Sequence, residues 1–122
     1  MSHLRIAVGP EVLDRALALA TEGKRVGIVC HNMREPQDWF DEAMRREISQ
    51  NATKIRRTAT QRSIEFGSGG IIRFMIPSRV RGCAFDVLVL SDHLTSEQKE
   101  DCLPSIKNAV DPIVIRACDS DD

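Results

Sequence analysis

The sequence has no tyrosine, one tryptophan and four phenylalanines. It therefore lacks the aromatic platform on which single-strand-binding folds stack bases. Its four cysteines, Cys30, Cys83, Cys102 and Cys118, form no C-x-x-C pair. That spacing argues against a disulfide framework or zinc ribbon and fits a reducing cytoplasm. Three histidines, none in H-x-x-x-H spacing, give no metal signature. No apolar run approaches the roughly 18 residues of a membrane span, and residues 1–20 lack a signal peptide's basic start and cleavage site. The expectation is a cytoplasmic protein with no membrane role.

Apolar residues at 42% and charged residues at 29% of 122 describe a globular chain long enough for one core. A single α/β domain over residues 1–118 with an acidic tail at 119–122 is expected. The net charge of -1 hides an asymmetry. Residues 1–44 sum to -2, residues 45–81 to +7 (nine basic against two acidic), and residues 82–122 to -6. A basic middle between acidic flanks offers either a phosphate-facing strip or compensation across one fold.

Two kinds of segment alternate. Leu4-Arg5-Ile6-Ala7-Val8 is a strand-like run stopped by Gly9-Pro10. From Glu11, the spacing of Leu13, Leu17 and Ala20 predicts a helix ending at Glu22-Gly23, where glycine takes the left-handed cap. Val26 to Cys30 is a β-branched run suited to a strand buried on both faces. A helix opening near Pro36 places Trp39, Phe40, Ala43 and Met44 on one face, extending toward Ile48. Ser63-Ile64-Glu65-Phe66 and Ile71 to Ile76, joined by Gly67-Ser68-Gly69-Gly70, read as a hairpin. Phe85 to Leu90 is the most apolar strand. A polar helix runs from Thr95 to Leu103 or past Pro104, and Ile113-Val114-Ile115 gives a last buried strand. Strands separated by helices predict a parallel sheet covered on both faces, with ligands gathering at the strands' carboxyl ends. Those tips are Gly9-Pro10, His31-Asn32, Ser91-Asp92-His93 and Ala117-Cys118.

The tips, taken in order, resemble the ATPase domain of phage terminase large subunits, the DNA-packaging motors. Cys30-His31-Asn32 is similar to the family's apolar strand closing on a His-Asn tip. Ile64 to Phe74 is similar to its hairpin around an Asn-Gly-Ser turn. Arg81-Gly82-Cys83-Ala84-Phe85-Asp86 through Leu90 resembles the arginine-glycine loop and the strand ending in the Walker B Asp-Glu. Leu103-Pro104-Ser105-Ile106 and Asp111 to Ile115 resemble the Leu-Pro-Thr-Leu helix and the coupling-motif strand. The resemblance implies a RecA-like P-loop NTPase-type three-layer sandwich, mostly parallel, with a β-hairpin inserted near residues 60–76.

The sequence departs from that family at its chemistry. A phosphate loop reads G-x-x-x-x-G-K-[ST], its lysine holding the outer phosphates and its hydroxyl sitting on magnesium. Here the corresponding turn is Gly9-Pro10-Glu11-Val12, with no lysine, no hydroxyl and a carboxylate facing the phosphates. Aligned from Asp86, the Walker B pair becomes Ser91-Asp92. Shifted by one, Asp92 takes the magnesium position and His93 the base position. Positioned positive charge supplies most phosphoryl-transfer catalysis, so these losses point away from turnover. A nucleotide-site remnant is expected at Gly9, Pro10, Glu11, His31, Asn32, Ser91 and Asp92, with no cofactor required. Phosphate contacts are expected from Arg56, Arg57, Arg79 and Arg81.

The sequence thus reads as a catalytically inactive terminase-like phage or prophage protein that acts by binding. Its partner would be a phage or host protein, DNA through residues 45–81, or a second copy of itself. The alternative is an unusual Mg-dependent nucleotide hydrolase, with ATP and Mg as its cofactors, Asp92 as metal residue, His93 as base, and Arg79 or Arg81 replacing the lysine. A folded remnant without activity is the third reading. Cys30 or Cys118 as nucleophile is weighed against ordinary buried strand cysteines.

Overall fold

The computed structural model describes residues 10–30, 35–46, 51–58, 62–80, 82–91, 94–107, 109 and 112–117. Among these, helix α1 (Pro10–Thr21) leads through a turn at Gly23 into strand β1 (Arg25–Val29). Gly23 has φ of 100°, the left-handed cap its position after the last apolar repeat requires. Helix α2 (Glu35–Met44) and strands β2 (Ala52–Arg57), β3 (Arg62–Phe66) and β4 (Ile71–Met75) follow. The short helix α3 (Pro77–Val80), β5 (Val87–Ser91), α4 (Ser96–Cys102), a 3₁₀ turn (Leu103–Ile106) and β6 (Ile113–Ala117) complete the order. The opening strand read at Leu4 to Val8, Gly9, and the tail at 119–122 lie outside the described residues.

The strands form one mixed sheet in the order β2-β3-β4-β1-β5-β6. β4, β1, β5 and β6 run parallel, while β3 is antiparallel to both β2 and β4. Side-chain alternation divides the core. Val26 and Ile28 of β1, Ile64, Ile72, Phe74, Val87 and Val89 pack with α1 and α2 on one face. Val29, Leu88 and Leu90 pack on the other face with Val80 of α3, Cys102 of α4 and Ile106. The connection from β1 back to β4 and the connection from β5 on to β6 run in opposite directions across the sheet. Right-handed crossovers then require their helices on opposite faces. The result is a three-layer α/β arrangement.

Two expectations change. The inserted antiparallel unit has three strands, not two, because β2 precedes the hairpin. Its sequence, Ala-Thr-Lys-Ile-Arg-Arg, is exposed almost throughout and carries no buried alternation by which periodicity could show it. The last strand is not fully buried either: β6 ends the order among the described residues, and Val114 is 44% exposed. The polar helix stops at Cys102, and Pro104 sits in the 3₁₀ turn, because proline lacks the N–H that a continuing helix would use. Thr95 caps α4 in a reciprocal capping box with Gln98.

Candidate phosphate-binding face

Parallel register brings the strand ends to one edge. Val29 lies between Met75 and Leu90, and Ser91 pairs with Ala117. The carboxyl ends of β1, β5 and β6 therefore lie on the same side of the sheet. Helix α1 enters β1 at its opposite, amino end. Its 12 residues, about 18 Å of helix, return Pro10 to the level of the carboxyl edge. Of the proposed nucleotide-site remnant, Ser91 is described and fully buried. Gly9, His31, Asn32, Asp92 and His93 lie outside the described residues, as do the side chains of Pro10 and Glu11. Arg81 and Cys118 lie outside them too. Among the described residues no group of three or more His, Cys, Asp or Glu could hold a metal ion.

Asp86, which opens the apolar strand, belongs to the other end of the sheet. Its carboxylate accepts from the Arg25 backbone N–H at 2.9 Å and from Arg25 Nε at 3.3 Å. The hydrogen bond from the Arg25 side chain is the main cause holding its carboxyl below the ordinary 3.8. Asp86 fastens β1 to β5 and stays far from the tips.

The arginines separate by strand parity. Arg57 pairs with Arg62, and Arg62 with Phe74, so all three belong to the helix-covered face. There the Arg57 guanidinium lies 5.4 Å from the Phe40 ring centroid. Arg56 pairs with Ser63, and Ser63 with Arg73, which sets these on the opposite face. On that face the second apolar cluster takes nothing from β2 or β3. A cavity of about 390 Å³ opens there, lined in part by Arg56, Ser63, Glu65, Arg73, Met75 and Arg79.

Arg56, Arg73 and Arg79 are exposed, and among the described residues none forms an ion pair. Other arginines behave differently: Arg45 meets Glu42 at 2.6 Å, and Arg46 meets Asp14 at 2.8 Å. Among the described residues, the carboxylate on the cavity wall is that of Glu65, which pairs in register with Lys54. The local balance is therefore strongly positive, on a concave surface that excess cations would leave only for an anionic partner. A second cleft, beside Cys83 and the end of α4, carries Glu100 and Asp101 and disfavours phosphate. Nearby Cys102 is no nucleophile: burial, with Asp101 adding to it, pushes its thiol up to about 11.

Of the expected phosphate contacts, Arg56 and Arg79 line one cavity, while Arg57 lies on the other face of the sheet. Arg73 is one of the basic residues of the middle segment, but its place opposite Ser63 is not legible from the turn: a loop of residues 67–70 would set Ser63 opposite Phe74, and the observed register is one residue tighter, with Phe66 N–H donating to Gly70 O. Arg56 joins them only once β2 is known. Compared with models of known protein families and with curated protein sequences, the chain matches none.

Proposed function

We propose that this is a terminase-like, RecA-type α/β domain of a phage or prophage protein that has exchanged nucleotide hydrolysis for binding, and that it grips nucleic acid by the phosphate backbone. The observation carrying this reading is the set of exposed arginines, Arg56, Arg73 and Arg79, without an ion pair among the described residues, around one open cavity on the side of the sheet where the second apolar cluster takes nothing from β2 or β3. Backbone phosphates are recognised by guanidinium groups without sequence preference, and the face offers little base-reading chemistry beside them. The fold supports the family reading. The hairpin falls between β1 and the strand that Asp86 opens, and the carboxyl ends of those two strands lie side by side. The sequence supports the loss of hydrolysis, since Gly9-Pro10-Glu11-Val12 supplies no cation to a triphosphate.

The test is fluorescence anisotropy with a labelled duplex at several salt concentrations. The wild-type protein binds with an affinity that falls steeply with salt. The R56A/R73A/R79A variant loses about 3 units of the log–log salt slope, close to one per phosphate contact. Absence of wild-type binding at low salt, or an unchanged slope in the triple variant, refutes the reading. Steady Mg-dependent phosphate release from ATP by the pure protein also refutes it.

A further inference from the structure

We propose that Arg56, Ser63 and Arg73 form a seat for a single phosphoryl group; the inference rests on the phosphate-backbone reading and assigns it a specific position. Ser63 lies directly opposite Arg73 of β4 on one side and Arg56 of β2 on the other. The three make one row across three strands. Two interstrand spacings separate the arginine α-carbons by about 10 Å. The residue between them is short. Two long guanidinium arms therefore flank a low floor, with room above it for a tetrahedral anion.

Ser63 is the floor of this row and faces the cavity. The residue is 5% exposed, it lines the cavity, and its hydroxyl has no protein hydrogen-bond partner among the described residues. With no partner among the described residues, its O–H can donate to a group that enters the cavity. A phosphoryl oxygen above Ser63 accepts its O–H while the remaining oxygens take the two guanidinium forks. Arg79 lines the same cavity from the carboxyl edge and adds a third cation without belonging to the row. One register step along, Lys54 stands opposite Glu65, which keeps that carboxylate matched by a charge outside the seat.

The same chemistry reaches the seat as a backbone phosphodiester or as a terminal or free phosphate, and the experiment separates them. Duplex affinity is measured for wild type, S63A, S63T and R56A/R73A, and inorganic phosphate is titrated into each with a thermal-shift readout. The seat predicts that S63A weakens duplex binding roughly tenfold, the loss of one hydrogen bond to a charged group. The salt slope stays unchanged because no cation is removed, and S63T restores affinity. Equal duplex affinity of S63A and wild type, with R56A/R73A impaired, overturns the seat and leaves the arginine-face reading standing. If wild type binds no duplex, that reading fails. The seat is then supported by millimolar phosphate stabilising wild type but not S63A, which marks a small phosphate as the ligand. It is overturned if phosphate stabilises neither.

Discussion

The Asp86 carboxylate receives both the backbone N–H and the guanidinium of Arg25, closing the amino ends of β1 and β5 at a point 61 residues apart in sequence. Interactions of this span report on assembly of the whole parallel half of the sheet. They also give the fold an acid-sensitive contact, since the carboxylate must stay ionised to hold both donors.

Asp86→Asn removes the charge while keeping an oxygen for the backbone donor. The Arg25 side chain is half exposed, so the expected loss is about 1 kcal/mol at neutral pH. The folded carboxyl titrates below its ordinary value. Its stabilisation is therefore fully present above the unfolded pKa and fades as pH falls through the folded one. Urea melts of wild type and variant should differ at pH 7 and draw together as pH falls below about 4. A gap that is equally wide at acid pH contradicts the assignment.

Gly70 is the point where the β3–β4 turn meets the end of α1. A Cβ placed there lies 1.7 Å from the Ala20 carbonyl oxygen, and the adjacent Ile71 N–H donates to Lys24 O at 3.1 Å. Gly70→Ala must push backbone apart and should cost roughly 3 kcal/mol or prevent accumulation of folded protein. Gly69, with φ of 95° and nothing within 4 Å of a Cβ, is the control. Its alanine variant bears only the left-handed backbone penalty, about 1 kcal/mol. Thermal melts of the pair should rank them in that order.

Arg57 tests the division of charge between the faces. Over the Phe40 ring it contributes about 0.5–1 kcal/mol of cation–π stabilisation. Arg57→Ala should lower stability by that amount. It should leave nucleic-acid affinity within roughly twofold, because the sheet holds it about a Debye length from the cavity at physiological salt. A loss of binding equal to that of Arg56→Ala would place the ligand on the wrong face for this account.

Much of this architecture is legible along the chain. The 3.6-residue spacing of Leu13, Leu17 and Ala20 marks α1, and the continuous apolar runs at Val26 and Val87 mark the two inner strands of the parallel set, β1 and β5. Each of these segments is defined by what it buries, so its pattern is written in its own residues. The glycine-rich turn at 67–70 likewise joins β3 to β4 by local chemistry. Strand β2 escapes that logic. Its outward residues are charged, and its place in the sheet comes from pairing with β3, not from burial.

The sequence by itself determined that the domain is α/β, that its middle third is basic, and that the turn after its opening run has no lysine for a triphosphate. Only the tertiary structure decided which arginines act together. Arg56 and Arg57 are adjacent in the chain yet face opposite sides of the sheet, whereas Arg56 and Arg73, 17 positions apart, flank one serine. The physical reason is the two-residue repeat of the strand combined with interstrand register: the first separates neighbours, and the second gathers distant residues into a row.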